Sequence, residues 1–288
     1  MKKIPTIAKI ALIIFLYFVT YAVYNSILHP IPALGDSWDY HIPIQKSILN
    51  GSFINPANFT REQYFPQLNP GSSEAFGALF ILFNIPLTLS NLFASLVLFF
   101  CLWKLGTVFK LDYYYALLFA LTFSTLNVIV RWFNAVSIDV WLAVFFCLGI
   151  ILLENPKKSS MYFAKLGIVI GMLVGSKFSG WILFVGLIFI YGKKLIKKIS
   201  FSRLILFLVP FSLFGLFWYM RNYLAVGNPL WPFCLLSFPC EGSHYNSHVQ
   251  MWDATLTDPV NMINSLFAEY KLWSLTLLVP LLYIFSKI

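Results

Sequence analysis

Long apolar runs separated by short polar stretches divide this chain. The runs at 7–28, 87–103, 112–130, 135–153, 165–177, 178–192, 204–220 and 271–286 all read as helices, and several reach the roughly 17–25 apolar residues that cross a bilayer. The runs are continuous. A transmembrane barrel would instead show segments of about 10 residues with alternating polarity. The pattern therefore predicts an all-α, polytopic transmembrane helical bundle with about eight crossings. The apolar stretch 75–84 is too short to span and predicts an interfacial helix. The pair 165–177 and 178–192 is short for two full crossings. Gly171, Gly175, Ser176, Ser179 and Gly180 lie where the two meet, which predicts a tight reversal between short helices and a cavity above it.

Composition sharpens this picture. Of 288 residues, 59% are hydrophobic and 11% are charged, with a mean hydropathy of +0.78. A soluble domain carries roughly 25% charged residues. The net charge of +9 does not point to nucleic acid, because the lysines fall in short loops between apolar runs. Lys104 and Lys110 flank one loop, Lys157, Lys158 and Lys165 another, and Lys193, Lys194, Lys197, Lys198 and Arg203 a third. With eight crossings all three lie on the side of Lys2, Lys3 and Lys287, the cytoplasmic side by the positive-inside rule. The expectation is a multi-pass protein of the cell membrane, with a cytoplasmic N-terminus and external loops at 29–86 and 221–270. Met1-Lys2-Lys3 before an apolar run imitates a signal peptide. The run is long for one and no small-x-small cleavage site follows, so it reads as a retained first helix. Cys101 and Cys147 sit in apolar runs as packing residues. Cys234 and Cys240 share the second external loop, where a disulfide is open. No Cys/His spacing resembles a zinc site.

The candidate chemistry collects at the external loops. Gly35-Asp36-Ser37-Trp38-Asp39-Tyr40-His41-Ile42-Pro43 follows the first run. If 37–50 is helical, Trp38, Ile42, Gln45 and Leu49 form one stripe, an amphipathic helix lying flat on the bilayer. Asp36 and Tyr40 are four apart and share a face. Asp36 reads either as a helix cap or as a reacting carboxylate, Asp39 as a solvated first-turn acid, and His41 as an interfacial histidine with a direct role as the alternative. Asp139 opens an otherwise apolar run, where an ionisable group faces a partner or a cavity. It is either paired with Arg131 or a second carboxylate that orients an acceptor or holds a divalent cation. Lys177 lies away from the lysine-rich side and needs an anion or must reach the headgroups. Arg221 ends a run on the external side and suits a bidentate grip on phosphate. Acids and phosphate-binding cations beside a lipid-accessible cavity suit attack of a hydroxyl or amine on a sugar carbon as a lipid phosphate departs. A carboxylate serves as base and the cations steady the leaving phosphate.

These residues resemble the membrane glycosyltransferases of the GT-C superfamily, close to relatives of protein mannosyltransferases and the aminoarabinose lipid A transferase. Asp36 and Tyr40 stand where that group has an acid followed by a tyrosine. Tyr40-His41-Ile42-Pro43 looks like its Tyr-His-Leu-Pro, and Gln63, Pro66 and Glu74 resemble its Gln…Pro…Glu pattern. Asp139 resembles the acid opening a later helix, and Gly171 with Lys177 a Gly-x-x-x-x-x-Lys segment. Arg221-Asn222 and Gly227-Asn228-Pro229 through Pro232-Phe233 resemble the Arg-Asn…Thr-Gly-Asn-Pro…Pro-Phe signature. The similarity runs from about 7 to 235. It implies an inverting transfer from a polyprenyl-phosphate sugar to a glycan, lipid or protein acceptor. Asp36 is then the base, Asp139 a second catalytic acid, and Tyr40, His41, Glu74, Arg131, Lys177, Arg221 and Asn222 bind substrate. No cofactor is required, with a divalent cation as the alternative. Position 37 is Ser where better-known members carry Glu, so a two-acid motif is absent. Members are usually longer, so 1–288 is expected to be a single membrane domain without their C-terminal helices or soluble domain. A lipid or solute transporter would also place charges in a cavity, but no repeat symmetry is visible. A non-catalytic subunit with the same fold is the third reading.

Overall fold

The structure, a computed structural model, describes residues 6–32, 37–54, 68–130, 132–154, 156–157 and 159–230. Among them every regular element is helical. The helices are α1 Thr6–Leu28, α2 Ile42–Leu49, α3 Glu74–Leu82, α4 Ser90–Val108, α5 Tyr113–Ser124, α6 Asp139–Glu154, α7 Ser160–Val174, α8 Ser179–Ile196 and α9 Phe201–Val226. Four segments are long and apolar enough to cross a membrane: Thr6–Leu28, Leu87–Val108, Ser179–Ile196 and Phe201–Val226. The expected run at 271–286 lies outside the described residues, as do Cys234 and Cys240.

The surface of these helices is what lipid as solvent asks for. In α1 only Ala8, Phe15, Ala22 and Ser26 are buried, a narrow seam at spacings of seven and four. Ile7, Ile13, Tyr17 and Ile27 face outward, as do Phe189, Phe201 and Leu224 on later helices. In water so broad an apolar exterior would be a large liability. In lipid the hydrophobic effect does not drive one helix onto another, so close packing and internal hydrogen bonds must do it.

Both devices are present. Gly167, Gly171 and Gly175 form a stripe along α7, and α9 lies against it. A methyl group added at Gly167 would sit 2.2 Å from the Phe207 carbonyl oxygen, and one at Gly175 2.0 Å from that of Phe214. The sequence reading assigned Gly171 and Gly175 to the meeting of α7 with α8. They face α9 instead, and Gly180 alone makes the close approach between α7 and α8, against the Leu173 carbonyl. The two helices have 15 and 18 residues, so α7 is short, as expected, while α8 is long and apolar enough to cross a membrane. Pro210 lies inside α9, where it lacks an N–H and crowds the preceding turn. The helix widens to a π turn over Ser212–Leu216 directly after it. The Phe214 carbonyl within that turn accepts from the Ser72 hydroxyl.

The chain reverses at short turns, so the polar loops gather at two ends of the bundle. One end holds 29–32, 37–54, 68–89, 125–130, 132–138, 175–178 and 227–230. The other holds the turns at 109–112, 156–157 and 197–200, with Lys104, Lys110, Lys157, Lys193, Lys194 and Lys197 exposed around them. Between the ends runs an apolar core that includes Leu98, Leu121, Val144, Phe163, Leu166, Leu173 and Tyr219. Cys101 and Cys147 are buried free thiols within it.

Candidate functional site

The segment after α1 folds back onto the bundle. Ser37 to His41 form a π turn, and Pro43, without an N–H to give, stands at the start of α2. The expected stripe of Trp38, Ile42, Gln45 and Leu49 does not share one environment. Trp38 and Leu49 are exposed, while Ser37, His41, Ile42, Ile44, Gln45 and Ser47 are buried. α2 packs on α3, and protein rather than a flat lipid surface covers its inner face. α3 has nine residues and spans about 13 Å, well short of the roughly 30 Å hydrocarbon layer. It occupies the place expected for the short helix at 75–84.

Glu74, the first residue of α3, is 1% exposed and receives His41 from the turn before α2 and Gln45 from α2. His41 donates from Nδ1 to Oε1, and the Gln45 amide donates to Oε2 at 2.8 Å. His41 and Gln45 are four apart, so one helical face delivers both. A buried carboxylate is tolerable only with such partners, and its place at a helix N-terminus adds to them. Gly77 makes room, since a methyl there would lie 2.1 Å from the Gln45 amide nitrogen. The Tyr40 ring rests on His41, with centroids 3.9 Å apart.

The chain before Glu74 is bolted to the ends of α7 and α9. The Ser72 amide donates to the Gly175 carbonyl at 2.9 Å, and the Trp218 indole donates to the Ser72 hydroxyl at 2.6 Å. Ser73 is at the N-cap position of α3, yet its hydroxyl does not cap the helix. It donates to Ser176, which in turn donates to the Met172 carbonyl. The next residue is Lys177. Its ammonium meets the Asp139 carboxylate at 2.7 Å, joining the turn after α7 to the first residue of α6. These side chains are 43% and 64% exposed, so this pair faces outward while His41–Glu74 is sealed. Ser37 anchors the same region. Its hydroxyl donates to the Val136 carbonyl and accepts from the Val136 amide, both at 3.1 Å, three residues before Asp139. Asn91 of α4 donates to the Ser137 hydroxyl at 3.0 Å, and Asn134 to the Ala22 carbonyl at 2.8 Å, fixing the rest of that loop.

Arg221, read from the sequence as suited to a phosphate grip, is engaged within the chain in this structure. It is 4% exposed. Its guanidinium donates to the Phe53 carbonyl at 3.0 Å, to the Asn69 carbonyl at 3.3 Å and to Asn222 Oδ1 at 2.8 Å. It also lies 4.3 Å from the Phe53 ring centroid. Asn222 donates to the Leu68 carbonyl at 2.5 Å. The two hold both flanks of 55–67 against the end of α9, as charge-assisted bonds to carbonyls do well.

The structure thus brings His41, Tyr40 and Glu74 together, and Asp139 with Lys177. Asp36 and Arg131 lie outside the described residues, as do Gln63 and Pro66. Sequence reasoning missed Gln45, Ser72 and Ser73 as polar partners. The i, i+4 spacing of His41 and Gln45 was the available signal for the first. Among the described residues no group of three or more His, Cys, Asp or Glu side chains comes together to hold a metal ion. Comparison of the chain with known protein families, characterised proteins and solved structures found no match.

Proposed function

We propose that this chain is an integral-membrane glycosyltransferase of the GT-C kind. It transfers a sugar from a polyprenyl-phosphate donor to a glycan, lipid or protein acceptor at the external face of the cell membrane. In this reading the bundle has eight crossings, the last at 271–286, and a cytoplasmic N-terminus. The observation that carries it is the outward-facing Lys177–Asp139 pair, set on the end of the bundle away from the lysine-rich turns. Two charges far from the orienting lysines, exposed and held by a rigid serine network, suit work on a phosphate.

The reaction follows from these parts. The acceptor oxygen or nitrogen attacks the anomeric carbon from the face opposite the phosphate. Its proton passes to the Asp36 carboxylate, the residue directly before Ser37 in the chain. The bond from the anomeric carbon to the phosphate oxygen breaks, and the electron pair leaves with the polyprenyl phosphate. Lys177 moves from Asp139 to the phosphate and stabilises its growing charge, while Asp139 orients the acceptor. Inversion at the sugar carbon results. Arg221 and Asn222 support the site by holding the flanks of its loop.

A second reading draws on a specific observation. Glu74, Arg221 and Asn222, three of the residues that carry the family resemblance, bond to other parts of this chain. That suits a non-catalytic subunit as well. The deciding experiment supplies membranes containing the chain with a panel of polyprenyl-phosphate sugars, beside an Asp36→Asn variant matched for expression. Transfer that disappears in the variant supports the enzyme with Asp36 as base. Transfer that persists moves the base to Asp139. Absence of transfer with every donor favours the subunit.

A further inference from the structure

A groove of about 270 Å³ runs between α6 and α7. Leu148, Ile151 and Leu152 line it from α6, and Lys165, Ile168 and Val169 from α7. No polar surface is exposed in it, so water has nothing there to bind. Met161, Lys165 and Ile168 are exposed along one stripe of α7, so the groove opens on the outer surface of the bundle. The helices run antiparallel. Lys165 and Leu152 therefore mark its end toward the lysine-rich turns, and Leu148 with Val169 its end toward mid-bundle.

Lys165 is the anomaly. It stands five residues into α7 from Ser160, about 7 Å along the axis. It has no hydrogen-bond or ion-pair partner among the described residues. Glu154, the acid closest to it in sequence, is engaged elsewhere. It accepts from the Tyr191 hydroxyl at 2.9 Å and from Lys194 at 3.1 Å, both on α8. Beyond the groove's end, the turn before α7 exposes Lys157, and Lys198 donates to the Pro156 carbonyl there. An ammonium with no acid partner among the described residues, at the mouth of an apolar groove, suits a ligand with an anionic head and an apolar tail.

We propose that this groove binds an anionic phospholipid of the membrane leaflet at the lysine-rich end. One acyl chain lies along Leu148, Ile151, Leu152, Ile168 and Val169, and the headgroup phosphate meets Lys165. Apolar side chains hold the chain without selecting the headgroup, and the unpaired ammonium supplies the selection. The site is separate from the proposed sugar-transfer site at the other end of the bundle and does not depend on that activity. It rests on the membrane reading alone.

The test is native mass spectrometry of the full chain in detergent, titrated with phosphatidylglycerol and with phosphatidylcholine of identical acyl chains. The expected preference for phosphatidylglycerol is about fivefold, the contribution of one lysine near a membrane surface. Lys165→Gln abolishes the preference and Lys165→Arg keeps it. Lys165 is exposed, so neither change threatens the fold. Ile168→Trp, which fills the groove, lowers retention of both lipids. An unchanged preference in Lys165→Gln overturns the proposal, and so does equal binding of the two lipids by the unaltered chain. Displacement of the lipid by inorganic phosphate also overturns it, in favour of a free-anion site. Covalent dimers formed through Lys165→Cys in lipid-rich membranes overturn it in favour of a second copy of the chain.

Discussion

The two ends of this bundle handle charge in opposite ways. At the lysine-rich end, Lys193, Lys194 and Lys197 stand exposed around one turn, and Glu154 pairs with Lys194. At the other end, charges and polar groups interlock. Glu74 closes on His41 and Gln45, Arg221 and Asn222 on loop carbonyls, and Ser72, Ser73 and Ser176 on one another and on α9. Water solvates the first set whatever the protein does. Removed from water, the second set depends on partners placed to within an ångström. Charge at the lysine-rich end stays at the surface of the bundle. Charge at the polar end shapes the chain.

The largest way to break that contrast is Glu74→Ala. It strands the His41 ring and the Gln45 amide in a sealed site, and losing one member of a buried pair costs about 3–5 kcal/mol. Melting of the detergent-solubilised protein, followed by fluorescence, should fall steeply. The double change Glu74→Leu with His41→Phe sharpens the point. It removes the carboxylate and the imidazole together and should recover part of the loss, because a well-packed apolar pair can match a buried ionic one, while the Gln45 amide stays unmet. A double variant as unstable as the single one would mean that α2 and α3 depend on that hydrogen bond for their geometry.

How far the sequence foretold this depends on what each element answers to. Long apolar runs answer to the bilayer alone, so α1, α4, α8 and α9 stand close to where the pattern put them. The acids and bases at the polar end were visible as types in place, since a charge at the edge of an apolar run is conspicuous. Their partners were not. Lys177 called for an anion, and the structure supplies Asp139, 38 residues away. Gly171 and Gly175 announced a close helix contact, but small residues do not name the helix that approaches. His41 was read as an interfacial histidine, and its partner Glu74 lies 33 residues away. Periodicity counted from Trp38 chose a face that straddles exposed and buried positions, since the turn before Pro43 is π rather than α.

Next in size is Lys177→Met. The pair with Asp139 is about half exposed, so its loss should cost at most about 1 kcal/mol of stability. Under the proposed function its effect on sugar transfer is far larger, about 10²-fold, as for loss of one group that stabilises a leaving charge. Melting temperature and transfer rate, measured on the same preparation, would then separate. A rate that tracks the small change in stability would leave the pair as a surface contact and remove the main support for the enzyme reading. Gly175→Ala acts through packing. Its methyl would press on the Phe214 carbonyl and the Ser72 hydroxyl, and overpacking of this kind costs about 1–3 kcal/mol. Because Ser72 is displaced with it, the change should also reach Ser73 and Ser176, the path to Lys177.

The smallest effect belongs to the lysine-rich end, and its smallness is the sharper test of the comparison. Lys194 meets Glu154 at 3.1 Å with its side chain 52% exposed, and its ammonium lies 5.2 Å from the Tyr191 ring centroid. By contact geometry this resembles the Lys177–Asp139 pair. Its surroundings differ, because the Tyr191 hydroxyl already satisfies the Glu154 carboxylate from the same helix. Lys194→Met should therefore shift stability by less than about 1 kcal/mol and leave transfer unchanged. Tyr191→Phe, which removes that hydroxyl at a largely buried position, should cost more, about 1–2 kcal/mol for an unmet hydrogen bond. If Lys194→Met proved the more damaging of the two, the ion pair rather than the tyrosine would hold α6 to α8, and the lysine-rich end would be part of the architecture after all.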